Sequence, residues 1–505
     1  MTGTTFPTTF EDTPHGESTF GAGAPRSSAG AASQVGKLYA DLFSKPQAVD
    51  PVAVKPRGSE RATAPASAPA SSVAAPRSPT TLAESGLQLG HIADLVLKQL
   101  YLHGTLLGGD IARATRLPFS IVDEALRALR DQKCIEVASG DLVGRVSYRF
   151  ALTELGRSRA RESFEHCRYV GPAPVPIEQY IEQCQLQHVT GAACTMPMLR
   201  STFKDCVIHP SLLEELGPAV CSGTSIFVYG PPGNGKTLIA KGLGRYLNQQ
   251  GGDIYVPYAI QAESSIITVF DPGIHHTTDD AGSPTRNPGA AEGPSYVVPE
   301  GYFDIRWRRI RRPVVITGGE LTLEMLELQY NASGNFYTAP LHIKANGGVF
   351  LIDDFGRQLV RPKDLLNRWI VPLEERVDYL TLTTGRKFML PFEQLIIFST
   401  NLDPRELVDD AFLRRIRHKV KIESPDRVTY TEIFRLICRQ KHVEFDPAAV
   451  ELLFSKYYDM GRTPRSSDPR DLLEITDSIC RFHERPLMLS ENLIDEAARR
   501  FFGQL

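Results

Sequence analysis

The sequence predicts an α/β protein: a parallel sheet between helices, with a helical segment after it and a small helical module and a loose arm in front. Three observations predict it. A short apolar strand, 225–229, runs directly into the glycine-rich string Gly230–Thr237 and then into helical periodicity. A second apolar run, 349–352, ends in the acidic pair Asp353-Asp354, as a strand buried on both faces of a parallel sheet demands. Residues 426–505 show four stretches of helical spacing, at 427–441, 447–459, 469–484 and 490–503.

Composition narrows the class. Of 505 residues, 42% are hydrophobic and 23% charged, which is ordinary for a globular chain with material for more than one core. The net charge of −3 supplies no bulk attraction to nucleic acid or an anionic membrane. No apolar run approaches the roughly 18 residues of a membrane helix, so direct membrane insertion is not expected. The opening MTGTTFPTTFEDTPHGES lacks the basic and apolar regions of a secretory signal. Eight scattered cysteines without a C-x-x-C read as reduced thiols, and the expected location is cytoplasmic.

Residues 1–84, rich in Ala, Pro and Ser, lack the apolar surface to offset chain entropy and read as a disordered arm. Its VGKLYADLF stretch, 35–43, is the one patch with helical character. Over 85–165, Leu89, Ile92, Val96 and Leu100 recur at helical spacing, and a second short helix ends before Pro118. Ser120, with Asp123 three residues on, marks the cap of a third helix. Strands at 135–138 and 146–153 and the string LTELGR complete a pattern that resembles a winged helix-turn-helix. That resemblance implies DNA or protein binding. Eleven Lys/Arg against ten Asp/Glu over 86–165, with Asp123, Glu124 and Asp131 on or beside the third helix, favour protein docking over duplex reading. Residues 166–199, with GPAPVP, read as a linker; Cys184 and His188 have half-site metal spacing but lack a second pair.

Residues 200–425 hold the strongest chemistry. Gly230, Pro231, Pro232, Gly233, Asn234, Gly235, Lys236 and Thr237, with Leu238 opening the helix behind them, form G-x-x-x-x-G-K-T between strand and helix. Glycines let backbone N–H groups converge on a β-phosphate, Lys236 spans the β/γ oxygens, and the Thr237 hydroxyl ligates Mg²⁺. Asp353 is placed to hold Mg²⁺ through water, and Asp354 to orient or deprotonate the attacking water. ATP and Mg²⁺ are the expected cofactors, and ATP hydrolysis the expected activity.

With these strings the chain resembles an AAA+ ATPase over about residues 200–505. The segment DYLTLTTGRKFML, a hairpin before the strand QLIIFSTN, is similar to the pre-sensor-1 hairpin clade of MoxR-type ATPases and magnesium chelatase subunits. FYTAPLHIKANGGVFLIDDFGR further resembles bacterial ATPases with chaperone activity associated with Flp pilus assembly. The resemblance implies an α/β domain over 200–425 with a helical lid over 426–505. It also implies a homo-oligomeric ring, expected as a hexamer, acting on a protein client. Asn401 matches sensor 1. Arg415, with Arg414 in reserve, matches the finger reaching a neighbouring subunit's nucleotide, though a basic helix end is also favoured by the helix dipole. Arg470 matches sensor 2, with Arg465 as rival. Two features depart from the pattern: Asp354 stands where the family has Glu, and a long insertion occupies 255–345. In the insertion, Arg306, Arg308, Arg309, Arg311 and Arg312 around Trp307 read either as a phosphate or nucleic-acid contact or as an edge strand meeting acidic residues across a subunit interface. ELTLEMLEL reads as a helix, the loop after His275-His276 as mobile, and the adjacent histidines as a poor chelate. Two other readings stay open: a DNA-binding regulator acting through the winged helix, and a slow nucleotide-operated switch.

Overall fold

The computed structural model describes residues 73–139, 144–190, 194–278 and 303–503. All belong to one compact unit, Ala68–Leu505. Most of the arm, its 35–43 stretch and the loop over 279–302 lie outside the described residues.

Five strands form the central sheet in the order Val314–Thr317, Val349–Ile352, Leu395–Thr400, Ser225–Tyr229, His418–Lys421, each parallel to its neighbours. Side-chain alternation splits the inner strands between two cores. Ile226, Val228, Val349, Leu351, Leu395 and Ile397 face the helix Lys236–Gln250, where Ile239, Leu243 and Leu247 are buried. Phe227, Phe350, Ile352, Ile396 and Phe398 face the other way, against Trp369 and Phe392. Both faces are covered, so the three inner strands are largely apolar. Parallel strands also bring their C-terminal ends to one edge, and that edge carries the site.

The expected hairpin is present: Val377–Thr381 pairs antiparallel with Lys387–Pro391, turning at Gly385 with φ 82°. The helices after the sheet, Arg427–Gln440, Pro447–Leu453, Asp468–Phe482 and Glu491–Phe502, lie where their periodicity places them. The second continues as a π-helical turn, Phe454–Tyr458.

In front of the core, helices Leu89–His103, Gly108–Thr115 and Phe119–Asp131 pack around Ile92, Val96, Ile121, Leu126 and Leu129. A three-stranded antiparallel sheet follows, ordered Leu106–Leu107, Arg149–Leu152, Ile135–Ser139. Two local expectations fail here. Pro118, not Ser120, is the N-cap, and the Ser120 hydroxyl donates to the Thr80 carbonyl at 3.3 Å. Asp123 is buried and paired with Arg127 and Arg145, so it caps nothing and its charge is neutralised within the module. The last strand is also shorter than expected, since Arg145–Ser147 forms a 3-10 turn.

The supposed linker is woven into the fold. Val175–Pro176 is the edge strand of a second five-stranded sheet whose other members, Ala259–Ala262, Ser265–Thr268, Phe336–Thr338 and Gln329–Asn331, come from the insertion. Helix Ile177–Leu186 then buries Tyr180 and Cys184 against that sheet's core. Burial pushes the Cys184 thiol up to about 12. Among the described residues no group of three or more His, Cys, Asp or Glu is placed to hold a metal. The end of the arm is likewise tied down: Thr81 caps helix Leu82–Ser85, and Asp304 donates its N–H to the Pro76 carbonyl at 2.8 Å.

Both readings of the arginine run give way to an interior role for its ends. Arg306 is 1% exposed and doubly bonded to Asp304, and it donates to the Ser85 carbonyl at 3.0 Å and the Pro174 carbonyl at 3.3 Å. One guanidinium thus joins three chain segments. Arg312 similarly satisfies the carbonyls of Gln187, Gly251 and Gly347. Trp307 is buried and stacks on Tyr180, and Arg309 pairs with Asp253 of the adjoining strand. His275 is a core histidine, its Nδ1 accepting the Asp271 N–H and its Nε2 facing the Lys344 carbonyl at 2.8 Å. ELTLEMLEL forms only the 3-10 turn Leu323–Leu326, because strand Gln329–Asn331 begins too soon for a helix to propagate. No described helix is long and apolar enough to cross a membrane.

Candidate nucleotide site

The phosphate loop leaves its strand through a residue that must be glycine. Gly230 has φ 142°, and a Cβ there would sit 2.1 Å from the Ile422 carbonyl oxygen. Gly233 and Gly235 follow at φ 82° and 81°, leading into helix Lys236–Gln250. A helix N-terminus behind such a loop is a geometry suited to binding an anion through backbone N–H groups. Lys236 arches back over the loop, its Nζ donating to the carbonyls of Gly230 at 3.0 Å and Pro231 at 2.8 Å. Partial burial lowers its pKa, opposed by the charges of Asp354 and Asp353. Leu238, in the helix's first turn, is exposed.

At the same sheet edge the Thr237 hydroxyl donates to Asp353 Oδ1 at 2.9 Å. A hydroxyl and a carboxylate are hard oxygen donors, and this spacing suits one Mg²⁺ sphere, directly or through water. Asp354 follows with φ 51°, a left-handed conformation just past the strand end. Asn401, just past strand Leu395–Thr400, donates its Nδ2 to Asp354 Oδ1 at 3.0 Å. The strand bearing Asn401 lies between the phosphate-loop strand and the acidic strand. The structure thus brings Thr237 to Asp353 and Asn401 to Asp354 at one sheet edge.

The arginines are distributed differently. Arg415 donates its Nε to Glu374 at 2.7 Å within its own chain, and Arg414 is exposed. Arg470 is directed at Asp471, at 3.0 Å, whereas Arg465 lies against the loop: a Cβ added to Gly233 would come within 3.2 Å of its Cδ. Arg465 also lines a cleft of about 570 Å³ with Pro231, Pro232, Arg462 and Phe502.

Sequence reasoning missed the turn that docks the helical segment on the loop. Ser467 donates its N–H to the Gly233 carbonyl at 2.9 Å, and Ser466 its N–H to Asn234 Oδ1 at 3.1 Å. Asn234 in turn donates to the Ser424 hydroxyl at 3.1 Å. The string Ser-Ser-Asp-Pro announces a helix start, but nothing local says what that start touches.

Known proteins resemble parts of the chain. A family model described as a domain of unknown function (DUF8689) matches residues 426–500. The vesicular-fusion protein SEC18 of Saccharomyces cerevisiae is 35% identical over 79 residues, 14% of this chain and 10% of that protein. The vesicle-fusing ATPase of Dictyostelium discoideum is 34% identical over 79 residues, again 14% and 10%. The chain thus spans about a tenth of the length of these relatives. Among solved structures, the Thermotoga maritima RuvB Holliday junction branch migration motor shares 14% identity over 60% of this chain and 73% of its own, with a TM-score of 0.32. Domain III of the Thermotoga maritima replication initiation protein DnaA shares 14% identity over 60% and 97%, with a TM-score of 0.33. The fold itself is an α/β core built on a five-stranded parallel sheet.

Proposed function

We propose that the protein binds and hydrolyses Mg-ATP and uses the cycle to remodel a protein complex. One observation carries the reading: two oxygen-bearing pairs, Thr237–Asp353 and Asp354–Asn401, meet beside the phosphate loop at one sheet edge. The first has the donors for Mg²⁺. The second has a base or orienting group for water and an amide to steady it. Bound ATP supplies the transferable phosphoryl group, while the chain's own part is to position it and exclude bulk water.

The remaining assignments extend this reading. Arg415 acts in trans, which makes the working unit a homo-oligomeric ring, and an arginine of the 463–470 turn faces the γ-phosphate. Residues 85–165 form a winged-helix-like module that docks a protein client, with pilus or secretion assembly as the setting the resemblance suggests. The pairing of Arg127 and Arg145 with Asp123 and the Thr80 carbonyl on Ser120 support docking over duplex reading, because those two cations are already engaged and the start of the third helix is contacted where a major groove would approach. The deciding experiment is steady-state Mg-ATP turnover beside Lys236→Ala across protein concentrations. Turnover that rises steeply with concentration and vanishes in the variant supports a shared ring site. Wild-type turnover at the variant's background sinks the hydrolysis reading.

A further inference from the structure

The contact between helical lid and phosphate loop hangs on one buried carboxylate. Asp468 opens helix Asp468–Phe482 and is 2% exposed. It accepts the Tyr458 hydroxyl at 2.8 Å and the Arg465 backbone N–H at 3.0 Å. The Tyr430 hydroxyl lies 2.9 Å from that of Tyr458. Tyr458 ends the π-helical turn Phe454–Tyr458, a rare local form that re-aims a side chain relative to a regular helix.

Burying a carboxylate is costly, and here burial raises its pKa. What the group gains is a fixed backbone: with Arg465 N–H bound, the chain turns so that the next two N–H groups, of Ser466 and Ser467, point at Asn234 and Gly233. Asn234, 3% exposed, then reaches Ser424, between the last core strand and the first lid helix. Loop, lid and the connection between them meet at that one amide.

We propose that Asp468 is a positioning residue for the phosphate loop, shaping the 465–467 turn so that its N–H groups hold Gly233 and Asn234 in the phosphate-binding conformation. It touches no ligand and acts through the turn. The inference rests on the nucleotide-binding reading above.

The test uses the full chain, with ATP displacing a fluorescent ATP analogue at equilibrium and steady-state KM and kcat alongside. Asp468→Ala weakens ATP binding about tenfold, with KM rising in step and kcat moving less than about threefold. Asp468→Asn restores most of the affinity, since an amide oxygen still accepts. Asn234→Ala weakens binding too, and the double variant is no weaker than the worse single one, because both act on the same turn. Additive losses overturn the proposal, as does an Asp468→Ala chain that binds ATP like wild type. If Asp468→Ala does not fold, Tyr458→Phe removes one hydrogen bond and keeps the ring; a Tyr458→Phe chain with wild-type affinity also overturns it. Wild type that binds no ATP overturns the nucleotide reading itself, a different failure from wild type that binds while the variants match it.

Discussion

Asn401 donates its side-chain amide to the Asp354 carboxylate at 3.0 Å, across the ends of two adjacent parallel strands. Neither residue lies in regular structure: Asn401 follows its strand, and Asp354 sits at φ 51°. The strands supply rigidity, and the two residues beyond them supply reach. Asp→Asn is the substitution that leaves this geometry most nearly intact, because Asn tolerates the left-handed region as Asp does. Asp354→Asn lowers kcat by about 10²–10⁴-fold and leaves ATP binding within about threefold, checked by single-turnover hydrolysis and equilibrium binding.

Gly230→Ala places a methyl 2.1 Å from the Ile422 carbonyl at a backbone angle that L-residues avoid. The loop must shift from its strand. ATP affinity falls at least about tenfold and the melting temperature drops by several degrees, at a strain cost of about 1–3 kcal/mol. Isothermal titration with ATP and a thermal scan check both.

Arg415→Ala removes the group assigned to act on a neighbouring nucleotide. In the proposed ring, kcat falls by about 10³-fold or more. Turnover at the wild-type rate in an oligomer of unchanged size, verified by light scattering, removes that assignment.

Arg306→Ala leaves Asp304 buried without its cation and the Ser85 and Pro174 carbonyls without a donor. Breaking a buried pair from one side costs about 3–5 kcal/mol. Urea denaturation shows the loss, and limited proteolysis finds new cleavage near residues 76–85 and 172–176.

His275 ordinarily titrates near 6.5, and burial against Phe270 pushes it to about 4, with the Lys344 carbonyl and Asp271 opposing the shift. Between those values the unfolded chain binds the proton and the folded chain does not, so stability rises with pH across that window. It is fully present above pH 6.5 and lost as pH falls toward 4, by roughly 3 kcal/mol in all. His275→Gln flattens that part of the profile, measured by urea midpoints at steps of pH.

What the sequence made legible was what local strings encode. Gly230–Thr237, Asp353, Asp354 and Asn401 each sit at the end of an apolar run, and the run itself announces a strand end. The four helices after the sheet were legible by period. Arg306 and Arg312 were not, because charge in a sequence reads as exposure, and the carbonyls that bury them come from positions as distant as Ser85 and Gln187. Val175–Pro176 was hidden by its proline, which reads as a breaker yet is tolerated on an edge strand. That Arg465 lies against Gly233 while Arg470 pairs with Asp471 is a contact no spacing could reveal.

The edge strand Val175–Pro176 and the Arg306 clamp leave little free chain between the three-helix module and the core. A cargo held by a module on a flexible tether samples a volume set by tether length, and its effective concentration at the motor falls as the tether grows. Here the distance is fixed by hydrogen bonds instead. On the proposed reading, a client seated on the module would occupy a set address relative to the phosphate loop, with no slack chain between the two.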